Sequence, residues 1–277
     1  MPGTIVIQPT FVDLFSANGI HAFEDFMALE GEIAKENRYR RVIRFELEAN
    51  GKPHAFYAKI HTAPKASPNF QRLARGRTPI TPAEHEWSIA VALTELGIGT
   101  FQPVAWGEAD KGTLSRPSFF ITEELTGADR VEDFIPQAFS GPLSRADRER
   151  KHQLIRALAD LARRFHGAGF FHRDFYLGHI LVREPEPGRF NLFLIDLQRA
   201  EQQSHPRNRW FIKDIAQAAY TAPNQQISAT DQIRFFRAYR DVDRLGPSDR
   251  RFARRVQRRV NAMIRRFERK GPIREGR

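Results

Sequence analysis

Two aspartates, each next to an apolar run, most constrain the fold of this chain. Asp174 lies in FFHRDFYLGHILV, and Asp196 ends the run RFNLFLID. Between them the apolar run HILV, the turn-forming EPEPG and the second apolar run predict a β-hairpin. The fold must therefore place two carboxylates at the edges of predicted strands, an arrangement suited to holding a hydroxyl group and a metal ion against a phosphate.

The first half of the chain has the pattern of a β-rich lobe. Alternating side chains on both sides of Asn50-Gly51 predict a hairpin over 40–60. A second hairpin is expected from the apolar runs 101–106 and 118–122, and a helix from 83–96. The Pro-, Ser- and Arg-containing stretch 61–82 is expected to be a long exposed excursion.

The second half is helical apart from the hairpin near the two aspartates. A helix beginning after Ser144 and ending near Gly167 is predicted by its apolar spacing, and further helices by the patterns listed next. These are 209–222, 230–243 and 248–270. We therefore expect an α+β, protein-kinase-like fold of two lobes, with a β-rich lobe over 1–126 and a helical lobe over 127–277.

Composition narrows the class of protein. The chain has 277 residues, and no segment approaches the roughly 18 consecutive apolar residues of a membrane-spanning helix. Its start shows no secretory signal, and the absence of cysteine is compatible with a reducing cytoplasm. A net charge of +11 favours an anionic partner, which by charge alone is a nucleic acid, an anionic lipid or a phosphorylated substrate.

The context of His172-Arg173-Asp174 favours a kinase-type site. Alone, such a tripeptide is more often a surface Arg-Asp pair in a turn. Here a long amphipathic helix precedes it and a hairpin ending at Asp196 follows. Kinases have this arrangement, with one Asp on the catalytic loop and a second Asp, after the hairpin, that binds the metal ion.

Lys59, on the second strand of the first hairpin, is the candidate for a phosphate-binding lysine. A lone strand lysine is usually solvated. In this sequence the helix that follows carries Glu86, the first choice for a partner, and Glu84, which lies on a different helix face.

Several separate motifs resemble one family. HRDFYLGHILV, LIDLQRA, RWFIKDIAQAAYTA, the connector ITEEL and the HEW helix together resemble the lipopolysaccharide core heptose kinases of Gram-negative bacteria. The resemblance extends over roughly residues 40–240. It implies an ATP-dependent, Mg²⁺-requiring enzyme that phosphorylates a heptose of the lipopolysaccharide inner core.

The resemblance also implies roles for individual residues. Asp174 would be the catalytic base, and Asp214 a buried acid that braces its loop, although a helix-terminal acid is an equally good local interpretation of Asp214. Asp196 would bind the metal. The nucleotide would be contacted by a set drawn from the first lobe: Lys59, Glu86, Glu123, Glu124 and Leu125.

The chain departs from the protein-kinase pattern at two places. His179 replaces the catalytic-loop asparagine, and the family also carries a histidine there. Either His179 binds a softer ion such as Mn²⁺, or it hydrogen-bonds within the site and leaves Mg²⁺ to Asp196 and water. No Gly-rich loop precedes Lys59, so that Arg38 or Arg40 would assist with phosphate.

These departures leave two alternatives open. One is a kinase-like phosphotransferase for another sugar or a small alcohol, and the other is a catalytically silent scaffold that binds a nucleotide or lipid. The retention of Asp174, Asp196 and Lys59 together argues against the scaffold.

The basic helix predicted over 248–270 bears on partners and location. Its apolar stripe Phe252, Val256, Val260, Met263 and Phe267 either packs on the lobe, leaving a solvated basic face, or meets an anionic membrane. The expected partners are the core glycolipid and, if the stripe meets a membrane, the anionic inner face of the inner membrane, with no nucleic acid. The expected location is cytoplasmic or peripheral on that membrane.

Overall fold

A computed structural model describes residues 3–49, 51–62, 66–74, 76, 78–110 and 114–270. The chain forms two compact units. The first consists of Met1–Leu96 and Phe101–Thr126, and the second of Gly97–Thr100 and Gly127–Arg277.

The first unit is built on one antiparallel sheet with strand order β1-β5-β6-β4-β3-β2. Short helices and one longer helix accompany the sheet. In chain order the elements are β1 (Thr4–Ile7), α1 (Val12–Ala17), α2 (Phe23–Met27), β2 (Glu32–Asn37), β3 (Arg40–Ala49), β4 (Lys52–His61), α3 (Ser67–Leu73), α4 (Pro82–Glu95), β5 (Pro103–Glu108) and β6 (Ser118–Glu123).

The predicted first hairpin is the β3–β4 pair. Ala49 pairs with Lys52, and Gly51 takes a φ of 71°, the left-handed conformation that a tight turn requires. Asn50, the other predicted turn residue, lies outside the described residues. The predicted second hairpin is the antiparallel pair β5–β6.

Alternation along β4 divides its side chains between two faces. Phe56, Ala58 and Ile60 enter an aromatic core with α1 and α2, where the rings of Phe26 and Phe119 stack 4.4 Å apart. The intervening Lys59 faces the opposite side, which α4 covers. Period-two geometry therefore places this one charged side chain under a helix instead of in the core.

The stretch 61–82 is mostly exposed where it is described, as expected, but it contains a helix and buried polar residues, which corrects that prediction in part. It contains α3, whose Asn69 is buried and whose amide donates to the Leu114 carbonyl oxygen at 3.0 Å. The Asn69 side-chain oxygen also accepts from the Ile80 amide at 3.0 Å. One buried amide side chain thus ties two chain segments together, and composition alone did not reveal this.

The second unit is mainly helical. Its elements are β7 (Asp129–Arg130), α5 (Val131–Ala138), α6 (Arg145–Gly167), β8 (Phe170–Phe171), β9 (Ile180–Glu186), β10 (Arg189–Leu194), β11 (Glu201–Gln202), α7 (Asn208–Thr221), α8 (Ala229–Arg240) and α9 (Pro247–Lys270). The predicted hairpin between the two aspartates is β9–β10, joined at its edge by β7.

The long helices pack as their sequences predict. Ser144 caps α6 by accepting a hydrogen bond from the Asp147 amide, and α6 packs against α8 while α7 packs against α9. On α9, Val256, Val260 and Met263 are buried, so that the apolar stripe packs on the unit.

The stripe on α9 ends before its last predicted member. Phe267 is 42% exposed, and the arginines of the helix are exposed to solvent. Among the described residues, none of the helices combines the length and apolar composition needed to cross a membrane.

Candidate active site

In the first unit, Lys59 and Glu86 form a buried ion pair. Thr81 caps α4 and the helix then presents Glu86, which is fully buried and accepts a hydrogen bond from the Lys59 ammonium. Glu84 points elsewhere, and burial raises the pKa of its carboxyl. The two candidates are therefore separated by helix periodicity, as the sequence analysis expected.

Aromatic rings lie beside this ion pair. The Lys59 ammonium lies 5.5 Å from the ring centre of Phe101 and 5.9 Å from that of Phe120. The second carboxylate oxygen of Glu86 is buried and, within the described part of the chain, has no hydrogen-bond partner. The Lys59 side chain remains 14% exposed.

The connector residues use their side chains differently from one another. The Glu124 carboxylate accepts hydrogen bonds from Arg44 at 2.9 and 3.1 Å and from the Tyr57 hydroxyl at 3.2 Å. The hydrogen-bonded Arg44 guanidinium lowers the pKa of the Glu124 carboxyl. The Glu123 amide donates to the Gln102 carbonyl oxygen at 3.0 Å. The Glu124 side chain is thus engaged with the sheet.

In the second unit, Asp214 of α7 holds the loop that carries Asp174. Its two oxygens accept from the backbone amides of His172, at 2.6 Å, and Arg173, at 2.8 Å. Arg173 has a φ of 71°, a left-handed conformation that is strained for a residue with a side chain. The fully buried Asp214 carboxylate therefore fixes the backbone where it is strained, as the family resemblance implied.

Other polar side chains of α7 extend this contact along the loop. Gln217 accepts from the Phe175 amide at 3.2 Å and donates to the Arg173 carbonyl oxygen at 3.0 Å. Thr221 accepts from the Leu177 amide at 3.0 Å. Sequence reasoning missed Gln217 and Thr221, although their spacing after Asp214, three and then four residues, indicates one helix face.

A second layer of buried groups stands behind Asp214. The His166 ring bonds the Tyr239 hydroxyl through Nδ1 at 2.8 Å and lies 3.4 Å from Asp214 through Nε2. Burial raises the pKa of the Tyr239 hydroxyl. This network joins α6, α8 and α7, so that three helices set the position of the loop.

The Asp174 carboxylate faces two cations. Both of its oxygens accept from the Arg199 Nη1 at 2.9 Å, and the Lys213 ammonium lies 3.9 Å from Oδ1. Lys213 also donates to the Arg173 carbonyl oxygen, and burial lowers the pKa of its ammonium group. Neither Arg199 nor Lys213 was singled out from the sequence.

His179 lies just before the β9–β10 hairpin, and Asp196 lies just after it. The His179 Nδ1 donates to the Asp174 carbonyl oxygen at 2.8 Å, and the His179 carbonyl oxygen accepts from the Ile195 amide at 3.0 Å. His172 Nε2 donates to the Ile195 carbonyl oxygen at 3.0 Å, and burial lowers the pKa of the His172 ring. The loop and the residue preceding Asp196 are thereby tied together.

Asp196 itself stands in a strained conformation. Its φ of 56° is left-handed, at the junction between β10 and the one-turn 3₁₀ segment Leu197–Arg199. Among the described residues no group of three or more His, Cys, Asp or Glu side chains is arranged to hold a metal ion. Any ion at Asp196 would therefore take further oxygen ligands from water or a substrate.

An α+β fold with a strand lysine paired to a helix glutamate, and an HRD loop held by a buried helix aspartate, defines the kinase-like class of phosphotransferases. The model of the lipopolysaccharide kinase (Kdo/WaaP) family matches residues 24–239. The chain belongs to this family. It is therefore a kinase, and membership implies ATP as the phosphoryl donor.

Individual relatives agree with this assignment. The chain is 32% identical to the lipopolysaccharide core heptose(I) kinase WaaP of Escherichia coli over 224 residues, 80% of this chain and 82% of that protein. It is 31% identical to the Pseudomonas aeruginosa protein of the same name over 238 residues, 85% of each chain. The predicted family and enzyme class are confirmed.

A solved structure supports the fold. WaaP in complex with acyl carrier protein superposes with a TM-score of 0.72 at 29% identity, covering 97% of this chain and 100% of that one. The predicted α+β, kinase-like fold class is confirmed. An acyl carrier protein was not among the partners expected from the sequence.

Proposed function

We propose that the protein is an ATP-dependent kinase that phosphorylates a heptose hydroxyl of the lipopolysaccharide inner core. The observation that carries the proposal is the Asp174 loop, whose backbone is held by Asp214 and Gln217 while its carboxylate stays 21% exposed. The names of the relatives supply the acceptor. Rigid backbone and an accessible carboxylate are what a general base for a bound hydroxyl needs.

In this proposal Asp174 takes the proton of the acceptor hydroxyl. The O–H bond breaks, the sugar oxygen bonds the γ-phosphorus atom, the bond to the β-phosphate oxygen breaks, and ADP leaves. The ammonium of Lys213, 3.9 Å from Asp174, compensates negative charge beside the reacting groups.

The first unit, over residues 1–126, would hold the nucleotide. The ammonium of Lys59 would contact phosphate oxygens, and Glu86 would keep that ammonium in place. Backbone groups of Glu123 to Leu125 would contact the adenine base, because the Glu124 side chain is already bonded to Arg44. Residues 127–277 would supply the acceptor side of the reaction.

The donor set fits Mg²⁺. This ion binds through one or two carboxylates and retains waters and substrate phosphates, and Asp196 offers one carboxylate. Its charge would neutralise negative charge developing on the phosphoryl group. His179 already uses Nδ1 on the Asp174 carbonyl oxygen, which favours the hydrogen-bonding role for this histidine over the binding of an ion such as Mn²⁺.

Transfer of labelled γ-phosphate from ATP to delipidated core oligosaccharide tests this function. We expect metal-dependent labelling that maps to a heptose by mass spectrometry. Labelling of a different sugar would support the kinase for another acceptor. Tight ATP binding with no transfer to any core oligosaccharide would contradict the proposed function and favour the scaffold.

The basic face of α9 supports a peripheral membrane location. Arg254, Arg255, Arg258 and Arg259 are exposed, and Ile264 and Phe267, each 42% exposed, follow towards the end of the helix. Basic residues near an anionic bilayer contribute about 1 kcal/mol each. Replacing the four arginines with Gln should abolish binding to anionic vesicles while the soluble acceptor is still phosphorylated. Unchanged vesicle binding would contradict a role for this face.

An apolar cavity in the second unit favours a second partner, an acyl carrier protein. The cavity, of about 90 Å³, is lined chiefly by aliphatic and aromatic side chains of α6, α7 and α8, with Leu158, Ile215 and Phe235 among them. Such a lining suits an acyl chain. Acyl carrier protein loaded with a fatty acid should co-elute with this protein, the unloaded form less so, and Ala218→Trp should weaken the complex. Equal co-elution of both forms would contradict a role for the cavity.

A further inference from the structure

The exposed guanidinium of Arg199 has an unusual neighbour for a side chain at the surface. Through Nη1 alone it bonds both oxygens of Asp174, each at 2.9 Å. Among the described residues, the Arg199 Nε and Nη2 groups make no hydrogen bond. Arg199 thus presents unused donors to solvent next to the carboxylate that is proposed to accept the hydroxyl proton.

The same contact limits what Asp174 can do. A carboxylate oxygen that accepts a charge-assisted hydrogen bond has less free lone-pair density for an incoming hydroxyl group. A hydroxyl group that donates to Asp174 competes with the guanidinium for these oxygens, and it is bound best when the guanidinium has moved away from at least one of them. Its position allows this, because the Arg199 side chain is 54% exposed and extends from the one-turn segment Leu197–Arg199.

Asp174 does not become uncompensated when Arg199 moves. The Lys213 ammonium stays 3.9 Å away, fixed by its bond to the Arg173 carbonyl oxygen. The loop backbone also stays in place, because Asp214 and Gln217 hold it independently of Arg199. Only the guanidinium changes partner, and a planar guanidinium with free donors matches a carboxylate or a phosphate.

We propose that Arg199 is the specificity residue that binds an anionic group of the acceptor, carboxylate or phosphate, and in doing so frees Asp174 for the neighbouring hydroxyl. The inference rests on the proposed function and names the acceptor class more closely: a sugar hydroxyl with an anionic substituent nearby. An acceptor without that substituent leaves Arg199 on Asp174 and reacts slowly.

Three matched acceptors test the proposal. They are delipidated core oligosaccharide with phosphates removed and sugar carboxylates kept, the same with carboxyls reduced and phosphates kept, and a neutral form lacking both. Native protein should prefer one or both anionic forms by about 10- to 100-fold in kcat/KM, through KM because Arg199 binds the anionic group and through kcat because Asp174 is then freed. The two anionic forms show which substituent Arg199 binds.

Arg199→Gln should remove this preference. Its KM for the anionic acceptor should rise by about 10- to 100-fold, its kcat/KM for the neutral form should equal or exceed that of the native protein, and its KM for ATP should not change. Arg199→Lys keeps the positive charge but lacks the planar guanidinium with its paired donors, so it should retain part of the preference that Arg199→Gln loses. Arg189→Gln, which removes a 69% exposed arginine paired with Glu186, is the matched control and should behave as native.

Two results would overturn the inference. One is an undiminished preference for the anionic acceptor in Arg199→Gln, and the other is a raised KM for ATP instead of the acceptor, which would assign the guanidinium to the nucleotide. Binding of the three acceptors, measured by calorimetry without nucleotide, distinguishes failure of the inference about Arg199 from failure of the proposed function. If native protein transfers phosphate to none of the three, equal binding of anionic and neutral forms still refutes the role of Arg199, and preferential binding lost in Arg199→Gln supports it.

Discussion

The two units hold their charged site residues in opposite ways. In the first unit Lys59 and Glu86 are fixed by burial between a strand and a helix, and the ion pair is the only hydrogen bond that the Glu86 carboxylate makes within the described residues. In the second unit Asp174 is fixed through its backbone, which α7 holds by hydrogen bonds, while the carboxylate contacts exposed or half-buried cations.

This difference separates stability from activity. A buried charge that loses its partner is left in a medium that solvates it poorly, so the pair in the first unit should matter to folding. The Asp174 side chain is 21% exposed, so water can replace part of the interaction when the carboxylate loses its charge, and the loss of stability is smaller. Breaking the pair in the first unit is therefore expected to reduce stability and nucleotide binding together, and removing the Asp174 charge in the second unit to reduce turnover alone.

The largest expected effect is that of Asp174→Asn. If Asp174 accepts the hydroxyl proton, turnover should fall by about 10²- to 10⁴-fold with little change in nucleotide affinity or melting temperature. Asp160→Asn, at an exposed α6 residue paired with Arg163 at 2.6 Å, is the matched control. Near-native turnover of Asp174→Asn would remove Asp174 from the mechanism.

Glu86→Gln should show the opposite behaviour of the first unit. It leaves the Lys59 ammonium without its carboxylate, and breaking such a buried pair costs about 3–5 kcal/mol of unfolding free energy. Denaturant unfolding measures the loss. Lys59→Met combined with Glu86→Leu should regain most of the stability without activity, whereas Glu84→Gln should change little. A stable Glu86→Gln protein would show that burial does not hold this site.

Gln217→Ala tests whether the hydrogen bonds to the loop backbone in the second unit contribute to stability as well as to turnover. The substitution leaves the buried Phe175 amide without an acceptor, which costs about 1–3 kcal/mol. Turnover should fall together with stability, since the loop loses one of its fixed points. Gln257→Ala, at an exposed α9 residue, is the control. Full activity of Gln217→Ala would mean that Asp214 alone positions the loop.

The smallest expected effect appears in mild acid. Burial, with Arg40 and Lys59 nearby, lowers the pKa of His61 from 6.5 to about 3. Below pH 6.5 the unfolded chain binds a proton that folded His61 refuses, so this residue's contribution to stability falls by about 1.4 kcal/mol per pH unit. His61→Gln should flatten the decline between pH 6.5 and 5.5, with pH 8 as the reference. An unchanged slope would mean that other groups cause it.

Local patterns were enough for much of the site. Lys59 was indicated by its place on a predicted strand followed by a helix with glutamates, Glu86 by its place just before an apolar run, and the class by the spacing of Asp174 and Asp196 around a hairpin. These features depend on neighbours in the chain or on one strand or helix repeat, and such information is present in a single sequence.

Only the tertiary structure decided which distant groups meet. Arg199 and Lys213 surround Asp174, and Gln217 holds its loop, because a 3₁₀ segment and helix α7 lie against a loop 25 to 44 residues earlier in the chain. The sequence around an exposed arginine or a polar helix residue is the same whichever group the side chain contacts, so it does not indicate the partner. Their partners are set by how helices pack, which depends on the whole unit, so the chain's own sequence determined the kind of site and its packing determined the charges around the base.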